Sequence, residues 1–595
     1  MKTLQPTVHR AVVVCSALLL ASACGTPPSG QTPMPNPEQA QAEQRLAALL
    51  DQLWELDASR WPLEATYQGD RRFDRTLADP SSEAADAYAT QVEAIAEQAQ
   101  EIAPELLADA SQDTRAMVLL AAKNTRAMRA CKVELWSIDG LSGPQVDYPM
   151  IPIFHTIRSQ EDVVTLEARY ATIPHQLEQL KANAESGLEM GLTPVRVNLE
   201  RALKQLDAML VTPLDKDPLL ALSIDAGLTV DVSAVRQAVE TEVRPALASY
   251  RDFLRDVVLP VAREEVGLGA LSVGVACYRA QLDYHIGASY SPEVLHQVGL
   301  DELRSAQVGM MEVAEELGLA AQTPREVIDA FRDDPSSYAP DAETLLELNA
   351  ETLRRAEAAV PRVFGHLPRT PIRVHEMESH RSQDAPAAYY YEAPDDLSRP
   401  AYYYVNTYLP ETRPLYDLEA LAFHEAVPGH HLQIALAKEA GDVHPWRRKA
   451  GQTAFVEGWA LYSELLADEL GLYTSPTTRF GMYNFQAWRA ARLVIDTGIH
   501  HYGWTRAEAL EFLLANTSLP EHEAANEVDR YIAWPGQALA YMVGRREIQS
   551  LRQEAELVLG DQFNLSEFHD RLLAGGAMPL TLLRENMERW LKSKQ

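Results

Sequence analysis

From about residue 40 onward, apolar residues recur at three- and four-residue spacing, the period of helices that turn one face to a core. QRLAALLDQLWEL, AADAYATQVEAIAEQAQEI, TLEARYATIPHQLEQLKANAESG and SAVRQAVETEVRPALASYRDFLRDVVLPVAREE carry it through successive segments, with breaks at clusters such as DPSSYAPDAE. No repeat of fixed period runs through them, which argues against a solenoid. The pattern predicts a mainly α fold, and 595 residues with 46% hydrophobic content suffice for a large core. One region departs from it. TPIRVHEM, AAYYYEAP and PAYYYVNTYLP are β-branched, aromatic and bounded by proline, so a small sheet or hairpin is expected there. The alternative is that these tyrosines pack a loop against helices.

The N-terminus reads as an export signal. Lys2 and Arg10 precede the apolar run AVVVCSALLLASA, too short to span a bilayer and right for a signal-peptide core. Its end, LLLASAC, resembles the lipobox of bacterial lipoproteins, in which a cysteine, here Cys24, is lipidated; Leu20 stands four residues before it. Cleavage at the small-residue site without lipidation is the alternative. The organisation expected is a signal peptide over 1–23, a flexible tether over 24–42, an N-terminal helical half over 43–300 and a C-terminal catalytic half over 301–595, the halves forming one unit. The net charge of −32 becomes two units more negative once Lys2 and Arg10 are removed, which excludes a nucleic-acid backbone as partner. Beyond the leader and Cys24 remain Cys131 and Cys277, which either pair in an oxidising envelope or sit buried as small hydrophobes.

The chemistry is concentrated in HEAVPGHHLQ, residues 424–433. In an ordinary H-E-x-x-H helix, histidines at i and i+4 reach one zinc and the glutamate at i+1 polarises a water. Here the i+4 residue is Pro428. On an undistorted helix His430 would be rotated roughly 120° off the face of His424, and His431 would lie about 10 Å along the axis. Pro428 and Gly429 mark a break or bulge that returns the chain to the metal face. His430 is preferred as second ligand because Gly-His ends related patterns, with His431 left as a substrate-facing group; the choice between the two stays open. A second pair, HEMESH with His375 and His380, follows a strand-like IRV and lacks the helical apolar stripe, so it is set aside.

Zinc held for catalysis needs a third ligand and an open position. TAFVEGWALYSELLADELG supplies Glu457, 27 residues after His430, on a stripe with Ala460, Leu461, Glu464 and Asp468. Glu464 and Asp468 read either as part of the site or as a solvated face, and Glu469 as solvated.

HEAVPGHHLQ, EGWALYSE, LVIDTGIHHYGW and EVDRYIAWPGQALAYMVG together resemble the bacterial domain-of-unknown-function family 885 (DUF885), a similarity that extends upstream through WSIDGLSGPQ, SPEVLHQVGLDEL and YYVNTY. The resemblance implies a large, helical, clam-shaped fold similar to the gluzincins that include angiotensin-converting enzyme, thimet oligopeptidase and thermostable carboxypeptidases. It implies zinc on His424, His430 and Glu457, Glu425 as general base, and Tyr531, Tyr541 or His500 steadying the oxyanion. Arg530 could hold a substrate carboxylate, with His431, Tyr403 and Asn406 also facing substrate; Arg530 could instead pair with Glu527 or Asp529. The activity expected is a zinc metallopeptidase of short peptides on the periplasmic face of the envelope, touching the membrane only through Cys24. Rivals are a zinc amidase or esterase of the envelope, and a non-catalytic peptide-binding lipoprotein. Labelled fatty acid is expected to enter the wild type and not Cys24→Ser; equal labelling of both, or of neither, removes the anchor.

Overall fold

The computed structural model describes residues 36–377, 386–393, 399–441, 443–449 and 451–595. The leader, Cys24 and His380 lie outside them. The described chain is mainly helical with a small three-stranded sheet. No helix among the described residues is long and apolar enough to cross a membrane.

Helix α1, Pro37–Arg60, begins inside the segment expected as tether. The Asn36 side chain accepts from the Glu38 amide at 3.2 Å and proline occupies the first turn, where it loses no hydrogen bond, so PNPEQ starts a helix rather than prolonging a linker. Leu46, Leu49 and Leu53 of α1 are buried with residues of α2, Ser82–Gln100, and α3, Asp109–Met128. The same core takes in Leu583 and Trp590 near the C-terminus, so a cut at residue 300 would divide it. A second core has its fully buried members within residues 148–262, with Leu63, Leu77 and Ile138 packed against it, and a third gathers Val195, Val266 and residues 491–538. TLEARYATIPHQLEQLKANAESG forms two helices, parted at Ala171 and Thr172, with Pro174 in the first turn of the second, where its missing N–H forfeits no helical hydrogen bond. Cys131 of the α3 side and Cys277 of α4, Gly274–Ile286, are joined as a buried disulfide.

The region that carries the histidine motif is organised around long helices of unusual burial. Helix α5, Pro292–Leu317, lies along α9, Pro476–His500, through Gly299 and Gly309: a Cβ on the former would run into Leu493 and Val494, and on the latter into the Tyr483 ring. Helix α9 is started by a capping box of Ser475 and Thr478 and is buried on most of its circumference from Phe480 to His500. Helix α8, Thr453–Glu469, crosses α11, Ala540–Leu559, with the two backbones in contact at Gly458 and Gly544.

The sheet forms where the tyrosine-rich segments predicted it. Strand β3, Ala401–Val405, is central, parallel to β1, Ile372–Glu376, and antiparallel to β2, Ala388–Tyr391. Tyr390 pairs with Tyr403 across β2 and β3. This leaves β2 on the edge, next to the histidine motif.

Because α8 and α11 touch backbone to backbone, even one added methyl must push them apart. Gly544→Ala is expected to destabilise the fold by about 1–3 kcal/mol or more, the cost of overpacking, and to lower the thermal midpoint; an unchanged midpoint would show that the crossing can relax.

Candidate metal centre

The motif is split between two helices rather than held on one bulged helix. α6, Leu415–Glu425, stops at the glutamate, and α7, His430–Glu439, starts at the second histidine. The connection runs Ala426, Val427, Pro428, Gly429, with a cis bond between Val427 and Pro428. Gly429 passes so close to the end of α6 that a Cβ would run into the carbonyl oxygens of Phe423 and His424. The turn is pinned from α8, where the Trp459 indole donates to the Pro428 carbonyl at 2.9 Å. Both helix ends are thereby held against the helix that carries Glu457.

The break returns His430 to the face of His424. Glu457 Oε2 lies 3.6 Å from His424 Nε2 and 3.5 Å from His430 Nε2, and the three ligand atoms all fall within 4.8 Å of one another. Those separations are long for hydrogen bonds. They match the edge of a tetrahedron built on metal–ligand bonds of about 2.1 Å, which is about 3.4 Å. Glu457 Oε2 is buried and has no hydrogen-bond partner, as expected of an oxygen placed for a cation. Among the described residues, no other group of histidine, cysteine and acidic side chains converges in this way. The donor set of two imidazoles and one carboxylate suits zinc.

The support behind His424 is buried and polar. Its Nδ1 donates to Glu464 Oε1 at 2.8 Å, turning Nε2 toward Glu457. Glu464, fully buried, accepts from Gln486 of α9 at 3.1 Å, and Gln486 accepts from Arg545 of α11 at 2.8 Å. Arg545 closes the chain on Glu302 of α5. A carboxylate behind a ligating histidine fixes its ring and strengthens it as a donor. Burial alone would strip the charge from His424, but the carboxylates of Glu457 and Glu464 outweigh it and raise the imidazole to about 9. Burial likewise opposes the charge on Glu457, yet His424 and His430 hold its carboxyl well below the usual range. The pocket is therefore built around positive charge between these side chains, and a metal must displace protons to bind.

Glu425 stands at the end of α6, half-buried, where the Tyr390 amide of β2 donates to its Oε2 at 3.0 Å. Tyr541 of α11 stacks beside the cluster, its ring 6.4 Å from that of His424 and nearly parallel. Burial and the neighbouring Glu457 raise its hydroxyl above the usual range, so it keeps its proton.

The other expected residues are committed elsewhere. His431 Nε2 donates to the Thr370 carbonyl at 3.1 Å, which leaves Nδ1 to accept from Tyr390 at 3.3 Å; burial depresses its pKa to about 4. Both nitrogens are used, so the substrate-facing role expected of it has no free atom behind it. His500 accepts from the Leu268 amide and donates to the Tyr531 carbonyl, and burial lowers it to about 4. The Tyr531 hydroxyl is held by Trp488, Arg492 and Glu527 and is fully buried. Neither can serve as the oxyanion group without breaking these bonds. Tyr403 is fully buried with its hydroxyl on Asn349, and Asn406 shapes the turn after β3 by accepting from the Tyr408 amide. Both lie in the interior because β3 is the central strand. Arg530 of α10, Glu521–Ala533, pairs with Glu527 at 3.2 Å and donates to Gln537. Asp468 and Glu469 form surface pairs with Arg479 and Arg552, and His375 lies exposed on β1. Sequence reasoning missed Trp459, Gln486, Arg545 and Tyr390. The stripe that joins Glu457 to Glu464 was the one signal present, since seven residues are two helical turns.

Comparison with known proteins places the chain. Residues 62–587 match the family described as "Bacterial protein of unknown function (DUF885)", and the chain belongs to that family. It is similar to the crystal structure of "the putative lipoprotein from Colwellia psychrerythraea", with a TM-score of 0.86 and 28% identity over 93% of this chain and 99% of that one. It shares its fold with "a putative lipoprotein of unknown function from Shewanella oneidensis", with a TM-score of 0.74 and 19% identity over 92% of this chain and 99% of that one. No curated protein matches.

His430→Ala is expected to abolish zinc binding, read as metal content of purified protein, whereas His431→Ala keeps the metal and loses only packing against β2. The reverse pattern would mean that the two helices re-pair in solution.

Proposed function

We propose that the chain is a zinc metallopeptidase that hydrolyses short peptides, with a helical, gluzincin-like architecture. The observation that carries this reading is the convergence of His424, His430 and Glu457 on one point with Glu425 one residue along from the first histidine. A binding site alone would have no use for that glutamate.

When bound, zinc supplies Lewis-acid chemistry, polarising a carbonyl and making water acidic enough to ionise near neutrality. His424, His430 and Glu457 are the residues that would hold the ion, with Glu464 keeping the His424 ring oriented. Glu425 removes a proton from the attacking water and passes it to the leaving nitrogen. The Tyr390 amide, 3.0 Å from Glu425 Oε2, fixes that carboxylate. Tyr541, protonated and stacked beside His424, donates to the oxygen on which negative charge develops. Trp459 and the buried break keep the two ligand helices in register through the reaction.

An envelope location anchored through Cys24 on the periplasmic face is part of this proposal. The export signal supports it, as do the two similar structures described as putative lipoproteins.

Glu425→Gln keeps the size of the side chain and its contact with Tyr390 but cannot accept a proton. It should retain stoichiometric zinc and lose hydrolysis by roughly 10²–10⁴-fold. A metal-free Glu425→Gln protein, or one as active as wild type, would overturn the role assigned to Glu425.

A further inference from the structure

Three guanidinium groups, those of Arg489, Arg492 and Arg530, bear on Tyr541, which is also close enough to Glu457 to feel its charge. Arg492 lies over the Tyr541 ring, 4.5 Å from its centre. A single carboxylate answers two of the three: Glu527 takes Arg492 at 3.0 Å and Arg530 at 3.2 Å, and also accepts from the Tyr531 hydroxyl at 2.7 Å. Arg489 is left over.

Arg489 is 5% exposed and makes no ion pair among the described residues. Its Nε and Nη1 are buried without hydrogen-bond partners, as is Nη1 of Arg492. The Phe485 and Trp488 rings lie against its guanidinium at 4.3 and 4.5 Å, and Trp488 is shared with Arg492 at 4.6 Å. These rings fix the plane of the group and leave its N–H edge unsatisfied. The acids whose charge reaches it are committed: Glu464 to His424 and Gln486, Asp417 to Asn484, Glu527 as above. Burial, and then the charge of Arg492, push the guanidinium below its usual range. A buried cation with an open fork of donors, one helical turn from another, lacks the planar two-oxygen anion that would complete it.

Its place relative to the metal cluster follows from α9. Gln486, which holds Glu464 behind His424, lies three residues before Arg489 and so shares its helix face. Tyr541 joins the two regions, with His424 against it at 6.4 Å and Arg492 at 4.5 Å.

We propose that Arg489, assisted by Arg492, receives the free α-carboxylate at the C-terminus of a peptide, so that the centre acts from the C-terminal end of its substrates. The deep burial of Arg489, with Phe485 and Trp488 packed edge-on to each other against its guanidinium, favours a chain end over a continuing backbone. An acidic side chain shares the same chemistry and has to be separated by experiment. The proposal rests on the peptidase reading, which names peptides as the ligands.

The test uses the full zinc-loaded chain carrying Glu425→Gln, titrated calorimetrically with one short peptide in three forms: free acid, C-terminal amide, and amide with a terminal aspartate side chain. The free acid should bind about 10–100-fold more tightly than either amide, the range for hydrogen bonds to a charged group. Arg489→Gln in the same background should erase that preference while zinc content and melting temperature hold. Equal binding of free acid and amide, tighter binding of the aspartyl amide, no binding of any form, or a preference that survives Arg489→Gln would each overturn it. Should the variant fail to fold, the comparison of the three peptides on the Arg489 protein decides alone. A wild-type enzyme that cuts none of the peptides while its Glu425→Gln form prefers the free acid would sink the peptidase reading and leave the carboxylate site standing.

Discussion

A buried carboxylate oxygen standing between two imidazole nitrogens, bonded to neither, sets the terms for the helices around it. Glu457 Oε2 is 3.5–3.6 Å from each ring. In a site this dry, an acceptor without a donor costs about 1–3 kcal/mol or more, and the arrangement is stable only with positive charge between the groups. Protons on His424 supply that charge in the free protein, and a divalent ion would supply it better. The surrounding structure serves to hold these atoms at that separation. The close α8–α11 crossing at Gly458 and Gly544 brings Glu457 and Tyr541 together, Trp459 pins the break between the histidines, and the row from Glu464 through Gln486 and Arg545 to Glu302 ties four helices to one ring nitrogen.

The departure from H-E-x-x-H is a change of scaffold with the same donors. One continuous helix places two histidines a turn apart; here α6 ends, the chain makes a compact turn, and α7 begins with the second histidine at its first position. Gly429 is needed because its alpha carbon lies against the carbonyls that end α6. The following residue, His431, then faces away from the cluster, toward Thr370 and Tyr390, and joins α7 to the sheet. Adjacent histidines thus have separate tasks: one faces the cluster and the other secures the β2 edge, whose Tyr390 amide holds Glu425.

The helical character, the small sheet and the identity of the clustered residues were legible because each has a local signature: period, β-branched and aromatic content, and the rarity of histidine. Glu457 could be reached through its stripe. What failed was the assignment of contacts made over long sequence separation. Tyr531, His500, Tyr403 and Asn406 look like functional polar groups in the sequence, yet each is consumed by a partner tens of residues or more away or by its own turn. Arg489 shows the reverse case. Within AWRAAR it reads as an ordinary helical arginine, and only the count of buried donors against available acceptors reveals that it lacks a partner.

The central claim is that His424, His430 and Glu457 together hold one zinc ion, and anomalous diffraction from zinc-loaded crystals at the zinc absorption edge tests it most directly. The account predicts a single strong peak within bonding distance, about 2.0–2.2 Å, of His424 Nε2, His430 Nε2 and a Glu457 oxygen, with His431 still on Thr370. A peak bonded to His431, or no peak between the three side chains in protein shown to contain zinc, would contradict it.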